Sequence, residues 1–140
     1  MLANPDVKLV TMTVTESGYY INEKNKLNLN LEIIKNNIDG KENNIIYAYL
    51  MTALKKRMLS TNKKITLLCC DNIRENGIML KDCFKQYLSA SNEIELLEWI
   101  KNNVSFPSCV VDRITPRTPE FLKSEIMEKF NLDENCGVMA

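Results

Sequence analysis

The amino-acid sequence predicts an α/β fold in which parallel strands alternate with helices. Apolar segments of strand length occur three times, and each runs directly into polar residues: VTMTVTE at 10–16, LLCCDN at 67–72 and CVVDR at 109–113. Segments with helical periodicity lie between them, and long helical connections are typical of parallel strands. We therefore expect one parallel sheet with helices packed against it.

Length and composition narrow the class of protein. A chain of 140 residues has the length of one domain, and its 45% hydrophobic and 26% charged content is typical of a globular protein. Lys+Arg and Asp+Glu are both 18, so there is no basic excess to neutralise phosphates. The longest apolar run, residues 45–51, is too short to span a bilayer, and no signal segment opens the chain. We expect a cytoplasmic protein that binds neither nucleic acid nor membrane.

The first strand is predicted at Val10–Thr15, where apolar residues alternate with threonines at a period of two. Glu16, Ser17 and Gly18 end it. Residues 21–44 are then rich in Asn, Lys and Glu, with one short helical piece predicted at Leu31–Asn36.

Apolar spacing predicts the next elements. Residues at a spacing of four predict a helix from Ile46 to Met58. Ile65–Cys70 is apolar on both faces, which favours a strand that is covered on both sides. Residues 80–88 have the 0, 3, 4, 7, 8 pattern of a second long helix.

The remaining elements are predicted from capping signals and one further apolar run. Asn92 with Glu95 resembles a capping box that opens another helix. Cys109–Arg113 is the predicted third strand. Thr118 and Pro119 fit the N-cap and first residue of a final helix.

A ligand site is predicted at one edge of the sheet. Ligands of open parallel sheets bind beyond the carboxyl ends of the strands. All three predicted strands end there in polar residues, which are Thr15-Glu16, Asp71-Asn72 and Asp112-Arg113.

Each of these pairs also has a purely structural interpretation. Asn72 with Glu75 fits a helix cap, either alone or together with a ligand contact. Asp112 and Arg113 fit an ion pair or solvated charges, and Thr15-Glu16 fits a strand end before a glycine turn.

Cysteine, histidine and glycine usage excludes several kinds of site. The five cysteines are an odd number, and Cys69, Cys70 and Cys109 lie inside apolar runs, which favours buried thiols in a reducing compartment. There is no histidine and no CxxC, so we expect no metal site. Any proton transfer would use Lys, Asp, Glu or Tyr, or a residue outside this chain. The four glycines are too far apart for GxGxxG or GxxxxGK[ST].

Three stretches carry a resemblance to a known family. TVTESGY (13–19), CCDNIRENG (69–77) and above all FPSCVVDRITP (106–116) resemble the mannitol dehydrogenase family, the long-chain, zinc-independent polyol dehydrogenases and hexuronate reductases. The three motifs occur in the family's order. The tail NLDENCGVMA resembles the family's next segment, so the similarity covers nearly the whole chain.

The resemblance implies a fold and a reaction. Residues 1–116 would form the C-terminal half of a Rossmann-like dinucleotide-binding domain, a partial parallel sheet with flanking helices, and residues 117–140 would begin the link to a helical substrate domain. The reaction would interconvert a sugar alcohol, mannitol- or arabinitol-like, and its ketose by hydride transfer to and from NAD or NADP. The alternative within the family is a hexuronate reductase that acts on a sugar acid.

The resemblance also implies site residues. Thr13, Thr15 and Glu16 would lie near the nicotinamide end of the cofactor. Asn72 would donate a hydrogen bond to the substrate oxygen and so stabilise its alkoxide character. Asp112 would stand at the edge of the same cleft.

The sequence departs from the family's pattern in what it lacks. Neither the family's glycine loop nor its lysine base occurs in these 140 residues, so we expect a fragment that is inactive when isolated. An unpaired sheet edge would then favour self-association. The rival hypothesis from another class is a non-catalytic α/β module that only binds or assembles.

Overall fold

The computed structural model describes residues 2–111 and 120–131. Within them, one sheet of parallel strands has the order β1-β2-β3, with β1 at Leu9–Met12, β2 at Ile65–Cys69 and β3 at Val104–Ser105. A 3₁₀ helix, Glu16–Tyr19, follows β1. The α-helices of this part of the chain are α1 (Glu32–Ile38), α2 (Ile46–Ser60), α3 (Asn76–Ala90), α4 (Ile94–Asn103) and α5 (Glu120–Phe130). The predicted α/β fold with a parallel sheet is confirmed.

The helices form where the apolar spacing predicts them. Leu50 and Leu54 of α2 are buried, as expected from their spacing of four. The predicted apolar stripe of α3 is buried along its whole length, at Leu80, Cys83, Phe84, Tyr87 and Leu88. The short helix predicted at residues 31–36 is α1, which begins and ends within two residues of that range.

The sheet buries one face more completely than the other. Along β2, Ile65 and Leu67 are buried against the core, whereas Thr66 and Leu68 on the opposite face are only half-buried. Leu9 of β1, in register with Thr66, is 52% exposed. The expected cover on both sides of β2 is therefore not found within residues 2–111 and 120–131, where α3 packs against β2.

Arg57 of α2 is fully buried and holds the start of the chain against the entrance to β2. Its guanidinium donates five hydrogen bonds, all to backbone carbonyl oxygens, at 2.6–3.0 Å. The acceptors are the carbonyls of Leu2, Asn4, Val7, Lys63 and Lys64. All five N–H donors of the side chain are used, which offsets the cost of removing the cation from water.

The first strand ends earlier than predicted, at Met12 instead of Thr15. The last ladder bond runs from the Cys70 N–H to the Met12 carbonyl at 2.7 Å. The Thr13 hydroxyl then donates to the Cys70 carbonyl at 3.1 Å. Thr15 has φ 63°, which is unusual for a β-branched residue and turns the chain into the 3₁₀ helix.

The third strand was predicted in the wrong place. It lies at Val104–Ser105, followed by a single bridge between Ser108 and Cys69. The described part of the predicted range, residues 109–111, forms no strand. Pro107 interrupts the ladder because it has no N–H. After Pro107, the Asn76 side chain hydrogen-bonds both the N–H and the carbonyl of Cys109. Cys109 therefore does not continue the sheet.

Both predicted capping boxes are wrong. Helix α3 begins at Asn76, its N-cap Glu75 has φ 56°, and no side chain caps it. Helix α4 has Glu93 as its N-cap, again without a side-chain cap bond. Asn92 instead adopts φ 57° at the end of α3, where its N–H donates to the Ser89 carbonyl. Other predicted positions lie outside the described residues, namely Asp112, Arg113, Thr118 and Pro119.

Candidate functional site

A cleft of about 430 Å³ opens at the carboxyl end of β2. Residues 71–75, which connect β2 to α3, form one wall, and residues 108–111, which follow β3, form the other. Of the predicted polar strand ends, Asp71-Asn72 lines this cleft. Thr15-Glu16 does not line it, and Asp112-Arg113 lies outside the described residues. Arg74 and Glu75 bring one charge of each sign to the rim.

The Asn76 side chain joins the two walls of this cleft. Its amide NH₂ donates to the Asp71 carbonyl at 2.7 Å and to the Cys109 carbonyl at 2.8 Å. Its amide oxygen accepts the Cys109 N–H at 3.1 Å. Asn76 is fully buried, so these bonds are shielded from water. One side chain thus takes the place of backbone pairing and fixes the separation of the walls.

Gly77 lets the second wall approach α3 closely. A Cβ atom at this position would lie 2.4 Å from the Pro107 carbonyl oxygen and 2.6 Å from that of Phe106. The Gly77 N–H also donates to the Ser108 hydroxyl at 3.2 Å. Only glycine fits here without moving backbone, and the residue is packed against protein instead of being open to a phosphate.

Asp71 and Asn72 lie at the base and rim of the cleft. Asp71 is 8% exposed, and its Oδ1 accepts the Asn72 N–H at 2.8 Å. Its Oδ2 is buried and has no hydrogen-bond partner among the described residues. Asn72 is exposed, lines the cleft and caps no helix, so its side-chain amide is available to a ligand.

The residues after β1 lie beside the cleft and do not line it. The Thr13 hydroxyl reaches its border, because the Cys70 carbonyl that it contacts precedes Asp71. Thr15 forms the strained turn, and Glu16 is exposed in the first turn of the 3₁₀ helix. Of the predicted cofactor residues, Asp112 lies outside the described residues.

Buried tyrosines and thiols underlie the site and stay protonated. The Tyr19 hydroxyl and the Cys69 thiol are hydrogen bonded at 2.8 Å, and the Tyr47 hydroxyl donates to the Tyr19 carbonyl at 2.9 Å. Burial raises the pKa of Tyr19 and Tyr47 above the ordinary 10.0, and that of Cys69 and Cys83 above 9.0. These groups are neutral core residues at pH 7.

The sequence reasoning missed Asn76 and Gly77. Both lie inside the stretch CCDNIRENG, whose Asn-Gly pair was the available signal. It also assigned Cys70 and Cys109 to the buried core, whereas both are half-buried. Within the described part of the chain, no helix has the length and apolar content needed to cross a membrane.

This chain is similar to known proteins over nearly its whole length. Residues 1–140 match the family model described as the mannitol dehydrogenase Rossmann domain. D-arabinitol 4-dehydrogenase from Klebsiella pneumoniae is 35% identical over 137 residues, which are 98% of this chain and 30% of that protein. Mannitol 2-dehydrogenase from Phaeosphaeria nodorum is 34% identical over 140 residues, which are 99% of this chain and 24% of that protein.

Solved structures show the same relationship. A substrate-free D-sorbitol dehydrogenase matches with a TM-score of 0.71 and 32% identity, over 98% of this chain and 28% of that chain. Pseudomonas fluorescens mannitol 2-dehydrogenase, solved as a ternary complex with NAD and D-mannitol, matches with a TM-score of 0.71 and 29% identity over the same shares. This chain spans 24% to 30% of the length of the two curated relatives above. It belongs to the mannitol dehydrogenase family and corresponds to part of that family's Rossmann domain.

Proposed function

We propose that this chain forms the nicotinamide side of the cofactor domain of an NAD(P)-dependent polyol dehydrogenase, which interconverts a sugar alcohol and its ketose. The observation that carries the proposal is the cleft at the carboxyl ends of parallel strands, with the exposed Asn72 amide on its wall. The names of the relatives and the complex with NAD and D-mannitol support the same reaction class.

The cleft fits one half of a dinucleotide. Its volume of about 430 Å³ lies in the range of small-ligand sites. Gly77 is packed against the Pro107 carbonyl, and the described glycines Gly18, Gly40 and Gly77 form no loop that could cradle a pyrophosphate. The chain is therefore assigned to the nicotinamide end, where a bound cofactor would accept or return hydride.

Asn72 is assigned the role of hydrogen-bond donor to the reacting oxygen of the substrate. A fixed amide N–H stabilises the negative charge that develops on this oxygen as hydride leaves the neighbouring carbon. Asp71 holds the Asn72 backbone through the Oδ1 contact, which limits where the side chain can point. The described residues that line the cleft include no lysine or histidine, so Asn72 is the donor and not the base.

The other predicted residues keep roles at the border of this site. Thr13, Thr15 and Glu16 are assigned to the nicotinamide side, since Thr13 contacts the residue before Asp71. Asp112 follows directly after Val111, the last described residue of the second wall, and is assigned to the edge of the cleft. We further assign residues 1–116 to the cofactor domain and residues 117–140 to the link with the substrate domain.

An NMR titration of the chain with each half of the cofactor tests the proposal. Nicotinamide mononucleotide should shift the backbone amides of residues 71–75 and 108–111, whereas adenosine monophosphate should leave them unchanged. Asn72→Ala should weaken the response to polyol added after the nucleotide. Asn102→Ala, which alters an exposed asparagine on α4, should not. Equal shifts with both nucleotides, or shifts confined to other residues, would contradict the assignment.

A further inference from the structure

Two cysteines face each other across the neighbouring backbones that lead into the cleft. Cys69 and Ser108 are bridge partners in parallel orientation, so Cys70 and Cys109 are the next residues along the two chains. Side chains alternate between the faces of a sheet, and Cys69 points into the core. Cys70 therefore lies on the less covered face.

The contacts of the Cys109 thiol place it beside Cys70. It donates a hydrogen bond of 3.0 Å to the Cys69 carbonyl, which belongs to the peptide group that joins Cys69 to Cys70. The two thiols also interact: desolvation is the main cause of the raised pKa of Cys70, and the Cys109 thiol is the second. Both side chains are half-buried, in contrast to the fully buried Cys69 and Cys83.

We propose that Cys70 and Cys109 are an oxidisable pair that closes to a disulfide in the presence of a peroxide. The bridge between Cys69 and Ser108, the residues directly before the two cysteines, sets the two backbones side by side at this point. Adjacent strands lie about 5 Å apart, within the range of about 4.4–6.8 Å that a disulfide spans between Cα atoms. One sulfur attacks the peroxide, which cleaves the O–O bond, forms a sulfenic acid and releases water. The second sulfur then attacks the first and releases a second water molecule. The two thiols together lose two protons and two electrons, and hydrogen peroxide takes them up as it is reduced to two water molecules.

The bond would connect the two walls of the cleft. Asp71 and Asn72 directly follow Cys70, and Val110 and Val111 directly follow Cys109. A disulfide at this point adds a covalent link beside the Asn76 bridge and restricts how far the walls can separate. This consequence for ligand binding rests on the proposed function, whereas the linkage itself does not.

Peptide mapping of the peroxide-treated chain tests the proposal. Trypsin cuts after Lys64, Arg74, Lys101 and Arg113, so the expected product is peptide 65–74 linked to peptide 102–113. The linked pair should be absent from Cys70→Ser and from Cys109→Ser, should persist in Cys69→Ala, and should disappear on reduction. A link through Cys69, Cys83 or Cys136 instead, or two unlinked peptides from a chain whose melting curve is intact, would overturn it.

The consequence for the cleft is measured separately. The oxidised chain should respond more weakly to nicotinamide mononucleotide at residues 71–75 than the reduced chain does, and reduction should restore the response. An unchanged response of an oxidised chain whose link has been mapped would show that the bond does not restrict the walls. If the reduced chain also fails to respond, the proposed function fails instead, because the mapping requires no ligand.

Discussion

Replacing Gly77 by alanine should destabilise the chain even though alanine is the better helix former. Gly77 lies in the first turn of α3, where helix propensity alone would favour alanine by about 1 kcal/mol. The new Cβ, however, would lie 2.4 Å from the Pro107 carbonyl oxygen, a backbone atom that cannot rotate away. The segment that follows β3 must therefore shift.

The contacts that this shift would break give the magnitude. They are the bond from Gly77 N–H to Ser108 and the two bonds between Asn76 and Cys109. At about 1 kcal/mol each, their loss outweighs the propensity gain and leaves a net destabilisation of about 2 kcal/mol. With a urea dependence of about 2 kcal/mol per molar for a domain of this size, the unfolding midpoint should fall by about 1 M.

Urea unfolding followed by circular dichroism is the assay, and Gly18→Ala is the matched control. A Cβ at Gly18 would meet only side-chain atoms, Val14 Cγ1 at 3.1 Å and Thr15 Oγ1 at 3.8 Å, so its effect should stay within about 0.5 kcal/mol. If Gly77→Ala were as stable as the parent chain or more stable, the second wall would not be packed on α3. The account of how the cleft is held would then fail.

Three further outcomes are expected. Arg57→Met should cost about 3–5 kcal/mol, because it removes the five hydrogen bonds that the buried guanidinium donates to backbone carbonyls. The exposed Lys56→Met should be nearly neutral in the same urea assay. Stability should fall as pH rises above 9.0, because burial raises the folded-state pKa of Cys69 and Tyr19. The unfolded chain then loses these protons at a lower pH than the folded chain does. A flat urea midpoint from pH 8 to about pH 10 would contradict this. Sedimentation of the chain at tens of micromolar should show self-association, because β1 is an edge strand in the described sheet and Leu9 and Phe121 are exposed. Leu9→Lys should reduce the association. A parent chain that sediments as a monomer would contradict this prediction.

The fold could be predicted because its signals are local. Apolar spacing is a property of each segment by itself, so α2, α3 and β2 were placed within a few residues of their observed positions. The third strand was misplaced because its position depends on a residue far away in the sequence. The Asn76 side chain pairs with Cys109 and removes it from the sheet, and nothing in the apolar run at 109–111 signals that contact.

The site could be predicted only in part, for the same reason. Asp71 and Asn72 were predicted from the strand end and from the family motif, and both line the cleft. The predicted caps failed because Glu75 and Asn92 adopt positive φ. The Asn92 and Glu93 N–H groups donate back to the Ser89 and Leu88 carbonyls, so Asn92 ends α3 instead of capping α4. The closeness of Cys70 and Cys109 likewise becomes visible only when the two strands are side by side.

The central claim is that Asn72 serves hydride transfer at the end of β2, and an activity measurement on a chimera tests it most directly. This segment would replace the matching one in the D-arabinitol 4-dehydrogenase of Klebsiella pneumoniae, and polyol oxidation would be followed through reduced nicotinamide. Asn72→Ala should lower kcat by about 10²–10³-fold, the usual loss for one oxyanion donor, while the melting temperature and the Asn102→Ala control stay unchanged. A chimera whose kcat survives Asn72→Ala within a factor of about three would contradict the assigned role.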